Sequence, residues 1–215
     1  MRLYYRPGTA AMAPHAALAE AGADYELVRV ELDEHGNAPP DYLALNPWGR
    51  VPTLVDGDLV LTEAAAIVLH VADRFPQAGL VPPIGTQDRA QVYRWLVYLT
   101  NTVQATYLRW RYPERYTAEP AGEAGIVACE AEALRRHFDS IAAQLAGRRW
   151  LVDDERTGAD LYLFMLTRWA RSQEPPAWDR PSLREHFLRV LERAGVAKMI
   201  DEQGLELPEW ALARA

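Results

Sequence analysis

The sequence predicts two parts: a small α/β domain over residues 1–77 and an all-helical domain over 87–215, joined by a linker at 78–86. Three observations carry this. Strand-like and helix-like segments alternate through the first 75 residues. Residues 76–86, PQAGLVPPIGT, are rich in Pro and Gly and read as a connection. Beyond them, every apolar pattern has a helical period.

Taken in order, RLYY reads as a short strand and APHAALAEAG as a helix that Gly22 stops. YELVRVEL alternates as a strand does, and PPDYLALNP is a short helical turn ended by Pro47. VPTLVDGDLVLT places two apolar runs around Asp56, Gly57 and Asp58, a hairpin signal. EAAAIVLHVADRF is a helix closed by Pro76, so the order is β-α-β-α-β-β-α. After the linker, QDRAQVYRWLVYLTNTVQATYLRW forms one long helix, with Val92, Trp95, Leu96, Leu99 and Val103 at three- and four-residue steps. A second long helix covers about 122–146, and TGADLYLFMLTRWA is a third, apolar enough to be central. PSLREHFLRVLERAG and VAKMIDEQ complete a bundle. Thr157 and Asp160 have the spacing of a capping box, a structural device whose loss in Thr157→Ala costs about 1 kcal/mol.

Composition excludes several classes. The chain has 215 residues, 49% hydrophobic and 25% charged, with a net charge of −7. Without a Lys/Arg cluster, nucleic acid and anionic membrane surfaces are not expected partners. There is no apolar run of ~18 residues and no basic-then-apolar leader, so a cytoplasmic protein is expected. Cys129 is the single cysteine, which rules out an internal disulfide or a thiolate zinc cluster, and it reads as a small buried hydrophobe. The five histidines, 15, 35, 70, 137 and 186, have no ligand spacing, so no catalytic metal is expected.

Three stretches together carry a resemblance. NPWGRVPTLVDGDLVLTEAAAIVLHVADRFP, residues 46–76, is similar to the Asn-Pro-x-Gly-x-Val-Pro-x-Leu stretch and following helix start of the cytosolic glutathione transferases. LYYRPGTAAMAPHAALAEAG resembles the first turn of that family's bacterial beta class, and TGADL its C-terminal capping box. They span essentially the whole chain, in family order. The resemblance implies a thioredoxin-like N-terminal domain, an all-α C-terminal domain, glutathione as co-substrate without a metal, a hydrophobic electrophile as second substrate, a homodimer, and a role in detoxification.

It also implies a site. Val51 before a cis Pro52 would pair the cysteinyl part of glutathione through its backbone. The Ala64 N–H, at a helix start, would hold the γ-glutamyl carboxylate, while the Glu63 side chain complements the ammonium. The family usually has serine where this chain has Ala64; the lost hydroxyl lowers affinity by a factor of roughly two to ten. His35, Trp48 and Arg50 are the candidates for the glycine end, and each also reads as a solvated residue.

For the thiol, the beta class has cysteine where Ala10 stands, commonly with serine at the place of Ala11. The remaining donors near Ala10 are the Thr9 hydroxyl, the Tyr4 and Tyr5 phenols, and the N–H groups of the helix start, which lower a thiol pKa without any side chain. Thr9 is the first candidate and Tyr5 the second; the competing roles are turn-capping for Thr9 and core packing for Tyr5. Met12, with Thr102, Thr106 and Trp110 on one face of the long helix, is expected to line the second-substrate pocket. Acidic and histidine side chains occupy the beta-class places of Thr102 and Gln104. The implied function is conjugation of the glutathione thiolate to a hydrophobic electrophile. The alternative is a non-catalytic relative that binds glutathione, an apolar ligand or a protein partner; a disulfide reductase lacks its cysteine.

Overall fold

The computed structural model describes residues 1–152 and 155–212. By packing, it forms two compact units, one of Met1–Val81 with Val190–Ala215, the other Pro82–Arg189.

In the first unit, β1 (Arg2–Tyr5), α1 (Met12–Glu20), β2 (Glu26–Arg29), α2 (Pro40–Leu45), β3 (Thr53–Asp56), β4 (Leu59–Thr62) and α3 (Ala64–Arg74) follow the order read from the sequence. The sheet order is β2-β1-β3-β4; β1 and β2 are parallel, and the β1–β3 and β3–β4 pairs are antiparallel. The β1–β2 pair is parallel because α1 supplies the crossover. Pro14 is tolerated in the first turn of α1, where the missing N–H had no intrahelical acceptor. At the other end Gly22 takes a φ of 62°, and the Ala23 and Gly22 N–H groups close back on the Leu18 and Ala19 carbonyls. The hairpin turns at Gly57, φ 61°. Leu3, Leu54, Met12, Ala17, Ile67, Val68 and Val71 are buried in this unit.

The second unit contains α4 (Gln87–Tyr98), α5 (Ala105–Arg111), α6 (Glu123–Leu145), α7 (Gly158–Trp169) and α8 (Pro181–Leu191, whose last two residues group with the first unit). Thr86 caps α4 by accepting from the Arg89 N–H at 3.2 Å. Every residue of α7 is buried, as its apolar run requires. Its Phe164 stacks on Phe187 of α8 with centroids 4.4 Å apart. The Asp160 carboxylate completes the capping box, taking the Thr157 N–H at 2.7 Å, and also accepts from the Leu151 N–H at 3.0 Å.

Three expectations change. The single long helix is α4 and α5 joined by a π-helical segment, Leu99–Gln104, whose wider turns offset the faces on either side. Cys129 is exposed: α6 buries Leu134, Phe138, Ile141 and Leu145, and position 129 lies off that stripe. The helical stretch expected over 87–215 is also divided. After α8, α9 (Ala194–Glu202) packs on α1 in the first unit, and α10 (Glu209–Leu212) follows it. Gly195 permits this approach, since a Cβ there would lie 2.6 Å from the Glu20 backbone nitrogen. Among the described residues, no helix is long and apolar enough to cross a membrane.

Candidate active site

The sheet register brings three of the predicted segments to one end. Tyr4 pairs with Thr53, and Thr53 with Thr62. The turn after β1, the Val51–Pro52 entry to β3 and the Glu63–Ala64 exit from β4 therefore sit side by side at the edge of three neighbouring strands. The loop carrying His35 leaves from the same end, because β2 runs parallel to β1 and Tyr5 pairs with Arg29.

Residues 6–9 form a tight turn: the Thr9 N–H reaches the Arg6 carbonyl at 3.4 Å, and Gly8 adopts a φ of 69°. Proline followed by a glycine of positive φ is the type II arrangement. The Thr9 hydroxyl donates to the Arg6 carbonyl at 2.6 Å and accepts from the Ala11 N–H at 3.4 Å. It therefore braces the turn, with its proton committed to the backbone. The Met12 N–H is taken by the Thr9 carbonyl at 3.1 Å. The Ala10 N–H has no acceptor among the described residues and stands beside the start of α1. Tyr5 and Met12 are buried; the Tyr5 ring lies edge-on to His15 at 6.4 Å between centroids.

The Val51–Pro52 peptide is cis. Val51 lies just before the ladder, which starts at Thr53, and packs partly buried with Tyr4 against the cluster of Val30, Ala38 and Tyr42. Two residues that the sequence reading missed shape this loop. The Tyr42 hydroxyl donates to the Arg50 carbonyl at 2.5 Å, and the Asn46 amide reaches the same oxygen at 2.6 Å. Burial raises the Tyr42 pKa, so it stays a phenol. The Asn-Pro pair ahead of Gly49 was the available signal.

Glu63 is exposed and takes a φ of 66°, the one positive-φ residue other than glycine among those described. Such backbone costs on the order of 1–3 kcal/mol and marks positions held for a reason. Ala64 is buried directly after it, at the first position of α3, where N–H groups lack intrahelical acceptors.

The other predicted residues are placed as follows. His35, Trp48 and Arg50 are exposed; Trp48 reaches 82% exposure, and His35 lies 3.5 Å from Glu34. Thr102 falls within the π-helical segment, while Thr106 and Trp110 lie beyond it on α5. Thr106 is buried, and its hydroxyl accepts from Arg109 at 3.2 Å. Gln104 is held by the Tyr162 hydroxyl. An open cleft of about 480 Å³ lined by Met1, Arg2, Asp24, Tyr25, Glu26, Val55 and Gly57 lies at the opposite end of the strands and contains none of the predicted site residues.

Behind the first turn is a polar cluster that periodicity did not reveal. His15, fully buried on α1, sits 2.7 Å from Glu202 and 3.0 Å from the Gln203 amide; Gln203 in turn accepts from the Gly8 N–H at 3.0 Å. Burial holds the His15 pKa below its ordinary value despite Glu202. The signal was an imidazole in the otherwise apolar run APHAAL, which must find a partner.

The family description "Glutathione S-transferase, N-terminal domain" matches residues 1–73, and "Glutathione S-transferase, C-terminal domain" matches 113–194. Glutathione S-transferase GST-4.5 of Xanthomonas campestris pv. campestris is 34% identical over 205 residues, covering 95% of this chain and 100% of the relative. The chain belongs to the glutathione S-transferase family. Two solved members are similar throughout. A sphingomonad glutathione S-transferase complexed with glutathione has a TM-score of 0.82 at 31% identity, with 96% of this chain and 100% of that chain covered. The bacterial beta-class glutathione S-transferase of Sphingomonas chungbukensis has a TM-score of 0.81 at 29% identity, with the same 96% and 100% covered. Measured against that class, this family member has Ala10 and Ala11 at its first turn.

Proposed function

We propose that this protein is a glutathione transferase that joins the thiolate of glutathione to a hydrophobic electrophile. The observation that carries the reading is the register Tyr4–Thr53–Thr62, which sets the first turn, Val51 and Glu63–Ala64 at one sheet edge. Together they offer a free N–H for sulfur, an unladdered backbone for an extended peptide, and a helix start beside a carboxylate for the γ-glutamyl end.

In this mechanism the Ala10 N–H and the start of α1 favour the ionised thiol, whose proton leaves to solvent. The sulfur lone pair then forms the C–S bond as the electrophile's leaving group departs with its electrons. Thr9 holds the turn and reaches the thiolate only by giving up its bond to Arg6; Tyr5 stays a packing residue. Val51 pairs the cysteinyl backbone, and Glu63 and Ala64 hold the γ-glutamyl group. His35, Trp48 and Arg50 surround the glycine end, while Met12, Thr102, Thr106 and Trp110 remain the candidates for the electrophile's side. A cytoplasmic homodimer with a domain boundary at 78–86 and a role in detoxification fits the family.

The named transferase relatives favour this reading over a non-catalytic binder. The test is conjugation of glutathione to a reactive aryl halide, with calorimetric glutathione binding and the thiol pKa measured in the complex. Turnover with a lowered thiol pKa is expected. Binding with an unshifted thiol and no turnover across several electrophiles would leave only the binding role.

A further inference from the structure

The Gly8 N–H belongs to the central peptide of the first turn, and a turn's own hydrogen bond does not restrain that peptide: it can rotate between the type I and type II arrangements. Gln203 restrains it from outside, accepting from the Gly8 N–H at 3.0 Å. A backbone N–H can only donate, so the Gln203 atom facing it is Oε1, and the amide NH₂ must face His15. There it lies 3.0 Å from Nδ1, which is therefore the bare ring nitrogen. The proton sits on Nε2, 2.7 Å from Glu202 Oε2, which also accepts from the Tyr25 hydroxyl at 2.8 Å. One backbone N–H thus sets the polarity of every bond in the chain Gly8–Gln203–His15–Glu202.

We infer that Gln203 and His15 are positioning residues for the thiol-binding turn, and that they hold it only while His15 is neutral. This deepens the transferase reading and rests on it for its effect on glutathione. A proton on Nδ1 would set two donors face to face at 3.0 Å. The Gln203 amide must then turn over, which presents its NH₂ to the Gly8 N–H and breaks that bond to the central peptide. The turn's own Thr9–Arg6 bonds remain, but its tie to α9 through Gln203 is lost, so the N–H offered to sulfur is held less firmly.

Among the described residues, several groups face His15. On β1, the Tyr5 ring packs T-shaped against the imidazole, and Tyr25 packs T-shaped at 5.4 Å between centroids with its hydroxyl 3.2 Å from Nε2. On α9, Glu202 favours the protonated ring and Lys198, 3.7 Å from Glu202, opposes it. On α3, which packs against α1, His70 and Arg74 are drawn to Asp56. The imidazole itself is fully buried, and that burial is the main force keeping it neutral.

The experiment follows the Gly8 amide and the His15 ring by NMR from pH 8 to 5, with glutathione affinity measured by calorimetry over the same range. In the unaltered protein, the Gly8 signal and the glutathione affinity should shift with the His15 midpoint, affinity falling about two- to tenfold. Gln203→Met should show the weaker affinity already at pH 8 and a Gly8 signal insensitive to pH. His15→Asn, whose amide oxygen replaces Nδ1 as acceptor, should restore the Gly8 contact and remove the acid limb. A Gly8 signal that ignores the His15 titration, or a folded Gln203→Met with unaltered affinity, overturns the inference. If glutathione does not bind the unaltered protein, the transferase reading fails, and the Gly8 titration still decides the network.

Discussion

Gly195 stands directly against Glu20: its N–H donates to Glu20 Oε1 at 3.0 Å, and an added Cβ would lie 2.6 Å from the Glu20 backbone nitrogen. Arg193 completes the clasp, its Nε 2.9 Å from Glu20 Oε2. Gly195→Ala must push α9 off α1, and overpacking of this kind costs typically 1–3 kcal/mol. Urea denaturation should show a loss of that size; an unchanged midpoint would mean that α9 is free to shift.

Asp160 holds a buried junction. Its carboxylate takes the Thr157 and Leu151 N–H groups and His186 Nε2, the last at 2.9 Å, with both the Asp160 and His186 side chains 1% exposed. Asp160→Ala strands several buried donors and should cost about 3–5 kcal/mol, against about 1 kcal/mol for Thr157→Ala. Comparing the two by denaturant melts tests the ranking, and equal losses would refute it.

Thr9→Ala distinguishes bracing from thiolate donation. Because the hydroxyl donates to the Arg6 carbonyl at 2.6 Å, its removal should loosen the turn and weaken glutathione affinity together with turnover. Steady-state kinetics with calorimetry reads the split. A fall in kcat alone, with affinity intact, would assign the hydroxyl to sulfur instead.

Glu63→Gln should weaken glutathione binding by roughly ten- to hundredfold, since a hydrogen bond to a charged partner is lost. Binding of an analogue lacking the γ-glutamyl ammonium should be nearly indifferent to the substitution. Equal losses for both ligands would point to the backbone of the α3 start rather than to the carboxylate.

Acid should destabilise the fold through His15. Its folded pKa lies below the ordinary value of about 6.5 because burial disfavours the charged ring, so the unfolded chain binds the proton more readily. Stability is then full above that value and is lost as the pH falls through it toward the folded pKa. His137, lowered by burial and Arg136, acts in the same sense. Asp56 has a folded pKa below its ordinary value, chiefly through His70, so its contribution disappears only in stronger acid. Thermal melts from pH 8 to 5 should show Tm falling, less steeply in His15→Asn; a flat Tm would contradict the assignment.

The first unit's element order was legible because its signals are local: the Asp-Gly turn, the Gly22 stop and Pro76. The Thr157–Asp160 capping box was legible for the same reason. The place of α9 was not, because the period of VAKMIDEQ reveals an apolar face but not the surface that covers it. Cys129 was misjudged on residue type, although its phase against Leu134 and Phe138 already set it outside the buried stripe. The π-helical segment at Leu99–Gln104 left no mark in the apolar spacing, so the shared face of Thr102 and Trp110 was drawn as if the helix were regular. At the candidate site, Tyr42 and Asn46 act locally on the Arg50 carbonyl and had the Asn-Pro pair as their signal, whereas Gln203 is ordinary in sequence and meets Gly8 only by where the chain returns.

That return has a cost in time during synthesis. Gly8 and Gln203 are 195 positions apart, so the ribosome must work for roughly 10–40 s after making the turn before its anchor exists. Throughout that interval the nascent first unit carries a buried-site imidazole with neither its amide nor its carboxylate partner. The turn after β1 is therefore among the last parts of the molecule to be finished, though among the first to be made.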